Sequence, residues 1–282
     1  MKTIPFTAQP GSHGTTWLAR SYAMFGKARP QWVMLLLAYY IVLVVADLVP
    51  FIGGFLVFLL KPILAVGFLA AAWTQERGEK PILPLLFRGF RSNLWALALL
   101  GVVFVVGMNI AMRATTLVDG GKLFALIANA MPQDVDQDAA ARRLSETLGD
   151  PRVQLGMIVG ALCAIPTLFA LWWAPALVVF QDASAASALA ASFRAAFANW
   201  RSMLRYAIAV FFFGGLLPTI AGTLVAVLLP APFGPALAFA LMVVYSLFFV
   251  ATLHISDYVS YRDVFHAEEP FKQTGTGVAG TS

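Results

Sequence analysis

Six long apolar runs constrain this chain more than any other feature: residues 31–48, 51–73, 94–115, 156–180, 204–229 and 233–258. A helix needs about 20 apolar residues to cross a hydrocarbon layer about 30 Å thick. In lipid the backbone must satisfy its own hydrogen bonds, so runs of this length are helices. A closed barrel would show apolar–polar alternation over about ten residues, and none is visible. The bulk numbers agree. Apolar residues make up 60% of the chain, charged residues only 12%, and the mean hydropathy is +0.79. A soluble domain carries about 25% charged residues, so this chain has too little polar surface to cover a water-exposed core. The expected fold class is an all-α integral membrane protein with six transmembrane helices arranged as three hairpins.

The net charge of +5 is explained by topology rather than by nucleic acid. Lys2, Arg20, Lys27 and Arg29 precede the first run, and Arg77, Lys80, Arg88 and Arg91 separate the second from the third. Arg194, Arg201 and Arg205 lie between the fourth and fifth, and Arg262 and Lys272 follow the sixth. The opposite side has cations only in its long connection, where acids outnumber them. Lys and Arg gather on the cytoplasmic side, so both termini are expected in the cytoplasm. No basic stripe with exposed aromatics suggests a nucleic-acid partner. The first thirty residues do not read as a cleavable leader. Cys163 is the only cysteine, which excludes an internal disulfide and a multi-cysteine metal site.

Two outer connections are short and rich in Pro and Gly, at 49–54 and 230–235, as tight reversals require. The middle pair opens into an outer loop at about 117–155. Two amphipathic helices are expected there, one with Leu123, Phe124, Ile127 and Met131 on a membrane face, the other over 138–148. Residues 15–266 form the expected membrane domain, between a flexible N-terminus (1–14) and a flexible tail (267–282). Each hairpin is preceded by an amphipathic segment, at 17–27, 82–91 and 187–201, expected to lie at the interface. Their apolar stripes are Leu18, Tyr22 and Phe25; Leu83, Leu86, Phe87 and Phe90; and Leu189, Phe193, Phe197 and Trp200. Phe87-Arg88 and Asn93 recur as Phe193-Arg194 and Asn199 at a common offset, which predicts an internal repeat of one unit in three copies.

A few polar residues fall inside the runs. Lys61 stands next to Pro62 in the second; an ammonium at such depth either faces a polar cavity or snorkels to the interface. Asn109 and Arg113 share a face of the third, with Arg113 near the outer end, where interfacial anchoring accounts for it. Asp47 closes the first run on the same side. His254 and Asp257 are spaced to meet near the inner end of the last, a pair able to relay protons or to cap a solvated helix end. No third metal ligand accompanies them, since His13 and His266 fall in the expected flexible termini. No nucleophile elbow, His-Glu-x-x-His or phosphate loop is present. The sequence thus predicts no catalytic residues, no metal and no cofactor.

The runs Trp17-Leu-Ala-Arg-Ser-Tyr-Ala-Met-Phe25, Leu86-Phe-Arg-Gly-Phe-Arg91, Ala174-Pro-Ala-Leu-Val-Val-Phe-Gln-Asp182 and Ser192-Phe-Arg-Ala-Ala-Phe-Ala-Asn-Trp200 resemble an uncharacterised family of proteobacterial multi-pass inner-membrane proteins. That family is similar in style to the membrane domain fused to some glycerophosphodiester phosphodiesterases. The resemblance implies residence in a bacterial inner (plasma) membrane and carries over no catalytic residues. A non-catalytic membrane or envelope component, partnered by the bilayer and by other membrane proteins or a specific lipid, is the leading expectation. A small-solute or lipid transporter is the alternative; it would need a polar path through Lys61, Asn109, Thr167, Thr219 and Thr223.

Overall fold

The computed structural model describes residues 4–128 and 137–268, and every regular element within them is helical. In chain order these are α1 (His13–Lys27), α2 (Arg29–Asp47), α3 (Gly53–Glu76), a 3-10 helix (Leu83–Arg91), α4 (Leu94–Asp119), α5 (Lys122–Ala128) and α6 (Gln137–Gly149). They continue with α7 (Pro151–Leu171), α8 (Ala174–Phe180), α9 (Ala185–Ala198), α10 (Trp200–Phe211), a π turn (Phe212–Leu216), α11 (Leu217–Leu228) and α12 (Phe233–Phe265). Six stretches are long and apolar enough to cross a membrane: α2, α3, α4, Pro151–Phe180, Trp200–Leu228 and α12.

Two of the six expected spans are interrupted, and the chemistry of each interruption is local. Pro175 cannot continue a helical ladder, and the fourth span breaks at Trp172 and Trp173 before α8 starts afresh. Ser192 bridges the gap, accepting from the Trp173 amide (3.0 Å) and donating to the Phe169 carbonyl (2.8 Å). In the fifth span Pro218 removes the amide that would bond residue 214. The turn widens to π over Phe212–Leu216, and the Tyr245 hydroxyl donates to the Phe213 carbonyl at 2.5 Å. Both repairs follow the rule that backbone groups freed inside a membrane find a side-chain partner.

Burial is concentrated at one end of the bundle. The inward face of α1, the first halves of α2 and α4, the second half of α3, α8, α9 and the last turns of α12 supply most of the fully buried side chains, among them Trp17, Trp32, Phe68, Trp173, Tyr258 and Tyr261. This is the end where the outgoing spans begin and the returning ones finish. Toward the other end the helices expose Ile41, Val44, Phe55, Leu162, Leu224 and Phe239, as suits surfaces solvated by lipid. There α4 and α7 meet through small residues: a Cβ on Gly107 would lie 2.3 Å from the Thr167 hydroxyl, and one on Gly160 2.7 Å from the Thr115 methyl.

The three amphipathic segments pack with a common pattern. The 3-10 helix lies on α3, the span before it, and α9 lies on α7 and α8, the span before it. Segment α1, the first of the three, lies on α12. All three turn small side chains inward: Gly14 and Ser21; Gly89; Ala188, Ala191 and Ala195. The stripes read from sequence as apolar faces point mostly outward. Tyr22 is 62% exposed and Phe197 66%, with Phe87, Phe90, Phe193 and Trp200 also exposed, whereas Trp17 and Phe25 of α1 and Leu86 of the 3-10 helix are buried.

Three further expectations are corrected. The N-terminus from residue 4 is docked: Ile4 is buried, Thr7 donates its amide to the Val264 carbonyl, and Phe6 meets Phe265 edge-on. Backbone hydrogen bonds to α12 and to Asn199 hold it, which apolar patterning could not reveal. The middle connection is shorter than expected, because α4 runs to Asp119 and α7 starts at Pro151. Its two short helices are α5 and α6, whereas Met131 falls outside the described residues, as does the tail beyond 268. The last span continues past residue 258 to Phe265, so Arg262 belongs to the helix rather than to a tail.

Candidate functional site

The sequence-derived site residues do not converge. The Lys61 ammonium lies 5.1 Å from the centre of the Phe58 ring on its own helix and makes no ion pair among the described residues. The carbonyl freed by Pro62 belongs to Phe58, and a Cβ on Gly101 of α4 would lie 3.3 Å from it, so a close helix contact covers it. Asn109 is exposed and turns its amide back onto the Val105 carbonyl at 2.9 Å. Arg113 is exposed near the end of α4, and Asp47 makes no ion pair among the described residues. His254 and Asp257 do meet, at 3.8 Å, with side chains 20% and 43% exposed. The His254 ring stacks on Phe68 at 4.0 Å and meets the edge of Tyr39, so its faces are used in packing.

The strongest polar constellation lies elsewhere, in the dense end, and joins residues far apart in sequence. Glu76, at the last turn of α3, is 8% exposed. Its carboxylate accepts from Arg262 Nη2 at 2.7 Å and Nε at 3.2 Å, and from the Tyr258 hydroxyl. Beside it Gln75 accepts from Trp32 Nε1 (2.7 Å) and donates to the Met24 carbonyl (2.7 Å), tying α3 to both α2 and α1. At the residue after Arg262, Asp263 accepts from His13 Nδ1 and Trp17 Nε1, both at 2.7 Å, with Arg20 at 4.0 Å. Asn199 accepts from the Gln9 amide and donates to the carbonyls of Thr7 and Ala195. The carboxylates of Glu76 and Asp263 are each met by donors of the fold itself. His13 and His266 are not in loose termini: His13 opens α1, and His266 Nε2 lies 3.0 Å from the Tyr261 hydroxyl. Among the described residues no group of three His, Cys, Asp or Glu is placed to hold a metal.

Two grooves open sideways between helices. One, of about 590 Å³, runs along α2 from Arg29 to Ile41 and is closed by Phe248 of α12. The other, of about 660 Å³, lies between α11 and α12 with Tyr40 at its edge, and is lined by Thr219, Thr223 and Ser246 as well as apolar residues. Lys61, Asn109 and Thr167 are absent from both linings. Sequence reasoning proposed Thr219 and Thr223 but missed Tyr40 and Ser246. It also missed the whole Glu76–Arg262–Tyr258 set, for which only spatial proximity carries a signal.

Six apolar helices, a polar layer spent on holding them and grooves that open laterally define a multi-pass membrane protein. The chain is similar to a probable inner membrane protein of Burkholderia thailandensis, with 28% identity over 262 residues that cover 91% of this chain and 92% of the relative. That likeness is of the kind the motifs pointed to and agrees with placement in an inner membrane. No family model matches the chain. No solved structure matches it either.

Proposed function

We propose that this protein is a non-catalytic component of the bacterial inner membrane, a scaffold whose dense end docks other membrane proteins or lipids. One observation carries the reading: the ionisable groups packed into the dense end, buried Glu76 and part-buried Arg262 and Asp263, are each engaged in contacts between helices. Catalytic groups need free valences aimed into a cleft, and these have none. Both termini are assigned to the cytoplasm, which the distribution of Lys and Arg supports. The dense end is then the cytoplasmic face. The outward aromatic faces of α1, the 3-10 helix and α9 would rest on the bilayer surface, where amphipathic rings are favoured.

The architecture is read as three copies of one unit, an interfacial segment followed by a helical hairpin. The packing pattern supports this reading, because each segment lies on the returning span of the unit before it and α1 completes the ring on α12. The pairs Ile63–Gly89 and Phe169–Ser192 also fall at closely comparable places in successive units. A second reading, transport of a small solute or lipid, draws on the hydroxyl-lined groove of α11 and α12. Native mass spectrometry of the protein released gently from its own membrane separates the two. The scaffold reading expects a stoichiometric protein partner that survives Lys61→Leu. A partner-free protein carrying a single specific solute would overturn it in favour of transport.

A further inference from the structure

From the groove along α2, we infer a binding site for one anionic phospholipid, with the headgroup phosphate at Arg29 and Lys27 and an acyl chain laid along Val33, Leu37 and Ile41. Residues 29, 33, 37 and 41 recur every fourth position, and 30, 34 and 38 beside them, so one continuous face of the helix lines the groove. The opposite wall is Phe248, held in place by Phe25 of α1 at 5.3 Å. From Arg29 to Ile41 the groove runs about 18 Å along the helix, close to the depth of one leaflet, about half of a 30 Å hydrocarbon layer. The surrounding solvent is lipid, so the occupant of such a furrow is an acyl chain.

Charge selects which lipid. Arg29 lines the groove at its end, Lys27 closes α1 two residues earlier, both are exposed, and neither makes an ion pair among the described residues. No acid occupies the first turn of α2 to neutralise them. The neighbouring groove of similar volume has hydroxyls but no cation in its lining, so no preference between headgroups is expected there. The inference does not depend on whether the protein has a protein partner.

The test is titration of the full chain in detergent with phosphatidylglycerol or with phosphatidylcholine of the same acyl chains, read by native mass spectrometry. Each basic residue near a headgroup is worth about fivefold in affinity for an anionic lipid. The wild type is therefore expected to hold one phosphatidylglycerol about 25-fold more tightly than phosphatidylcholine. Lys27→Gln with Arg29→Gln should erase that preference. Ala38→Phe, which fills the groove, should weaken both lipids, and a melting curve for each variant checks its fold. Should Ala38→Phe fail to fold, the exposed charge variants decide alone. Equal binding of the two lipids by the wild type overturns the inference. So does a preference that survives the double variant, or an open-ended ladder of adducts indifferent to every substitution.

Discussion

At the scale of single residues, the fold is held by a few polar contacts whose loss leaves a partner stranded. Arg262 is the counter-charge of a carboxylate that is 6% exposed. Removing one member of a buried pair leaves an uncompensated charge and typically costs about 3–5 kcal/mol. Arg262→Met is thus expected to lower the melting temperature in detergent sharply, while adding Glu76→Gln restores much of the loss. A single variant within about 1 kcal/mol of wild type would show that the Glu76–Arg262 pair does not hold the dense end together. Gly89 is equally demanding for a steric reason: a Cβ there would sit 2.0 Å from the Ile63 carbonyl oxygen. Gly89→Ala must push the 3-10 helix off α3, at an expected cost of about 1–3 kcal/mol by thermal unfolding. Lys61 lies at the other extreme. With only the Phe58 ring beside it, Lys61→Leu should leave the melting temperature unchanged or raise it, since an ammonium within a span is unfavourable by about 2.5–3.5 kcal/mol on insertion scales.

At the scale of elements, residues 4–12 form a strap held by hydrogen bonds as well as by the burial of Ile4 and the packing of Phe6. Asn199 makes two of those bonds, to Gln9 and Thr7, while only 1% exposed. Asn199→Ala is expected to cost about 1–3 kcal/mol and to raise amide exchange selectively in the strap; unchanged exchange there would refute its clasping role. The strap and the Glu76 set were invisible in sequence for one reason, since their partners lie well over a hundred positions away. No periodicity encodes such contacts. The spans, by contrast, were legible to within several residues, because the requirement for apolar length acts locally. The breaks at Trp173 and Pro218 fall between. Each proline was visible, but whether a span bends or breaks depends on the Ser192 or Tyr245 that repairs it. On the opposite side of the molecule, Lys122 donates to Asp150 at 2.5 Å and holds that exposed carboxyl below the usual carboxylate range. A lowered folded-state value means that the pair contributes above the ordinary carboxylate pKa. Its contribution is lost as pH falls through the folded value, so any effect of Lys122→Met on melting should vanish in acid.

At the scale of the whole molecule, the orientation assigned from charge is directly testable. In a Cys163→Ser background, Ser145→Cys should react with an impermeant maleimide in intact spheroplasts, and Ala267→Cys only after lysis. The reverse pattern would invert the topology and move the dense end outside.

The contact of α1 with α12 also sets a timetable for biogenesis. Trp17 and the Asp263 that accepts its indole proton are 246 positions apart. At roughly 5–20 residues per second on the ribosome, α1 waits about 12–50 s for its partner. During that interval the part of its inward face that packs on α12 has no partner from that helix. A nascent chain arrested before the sixth span therefore carries an unlatched first segment, a ready mark by which quality-control proteases could tell an unfinished copy from a completed one.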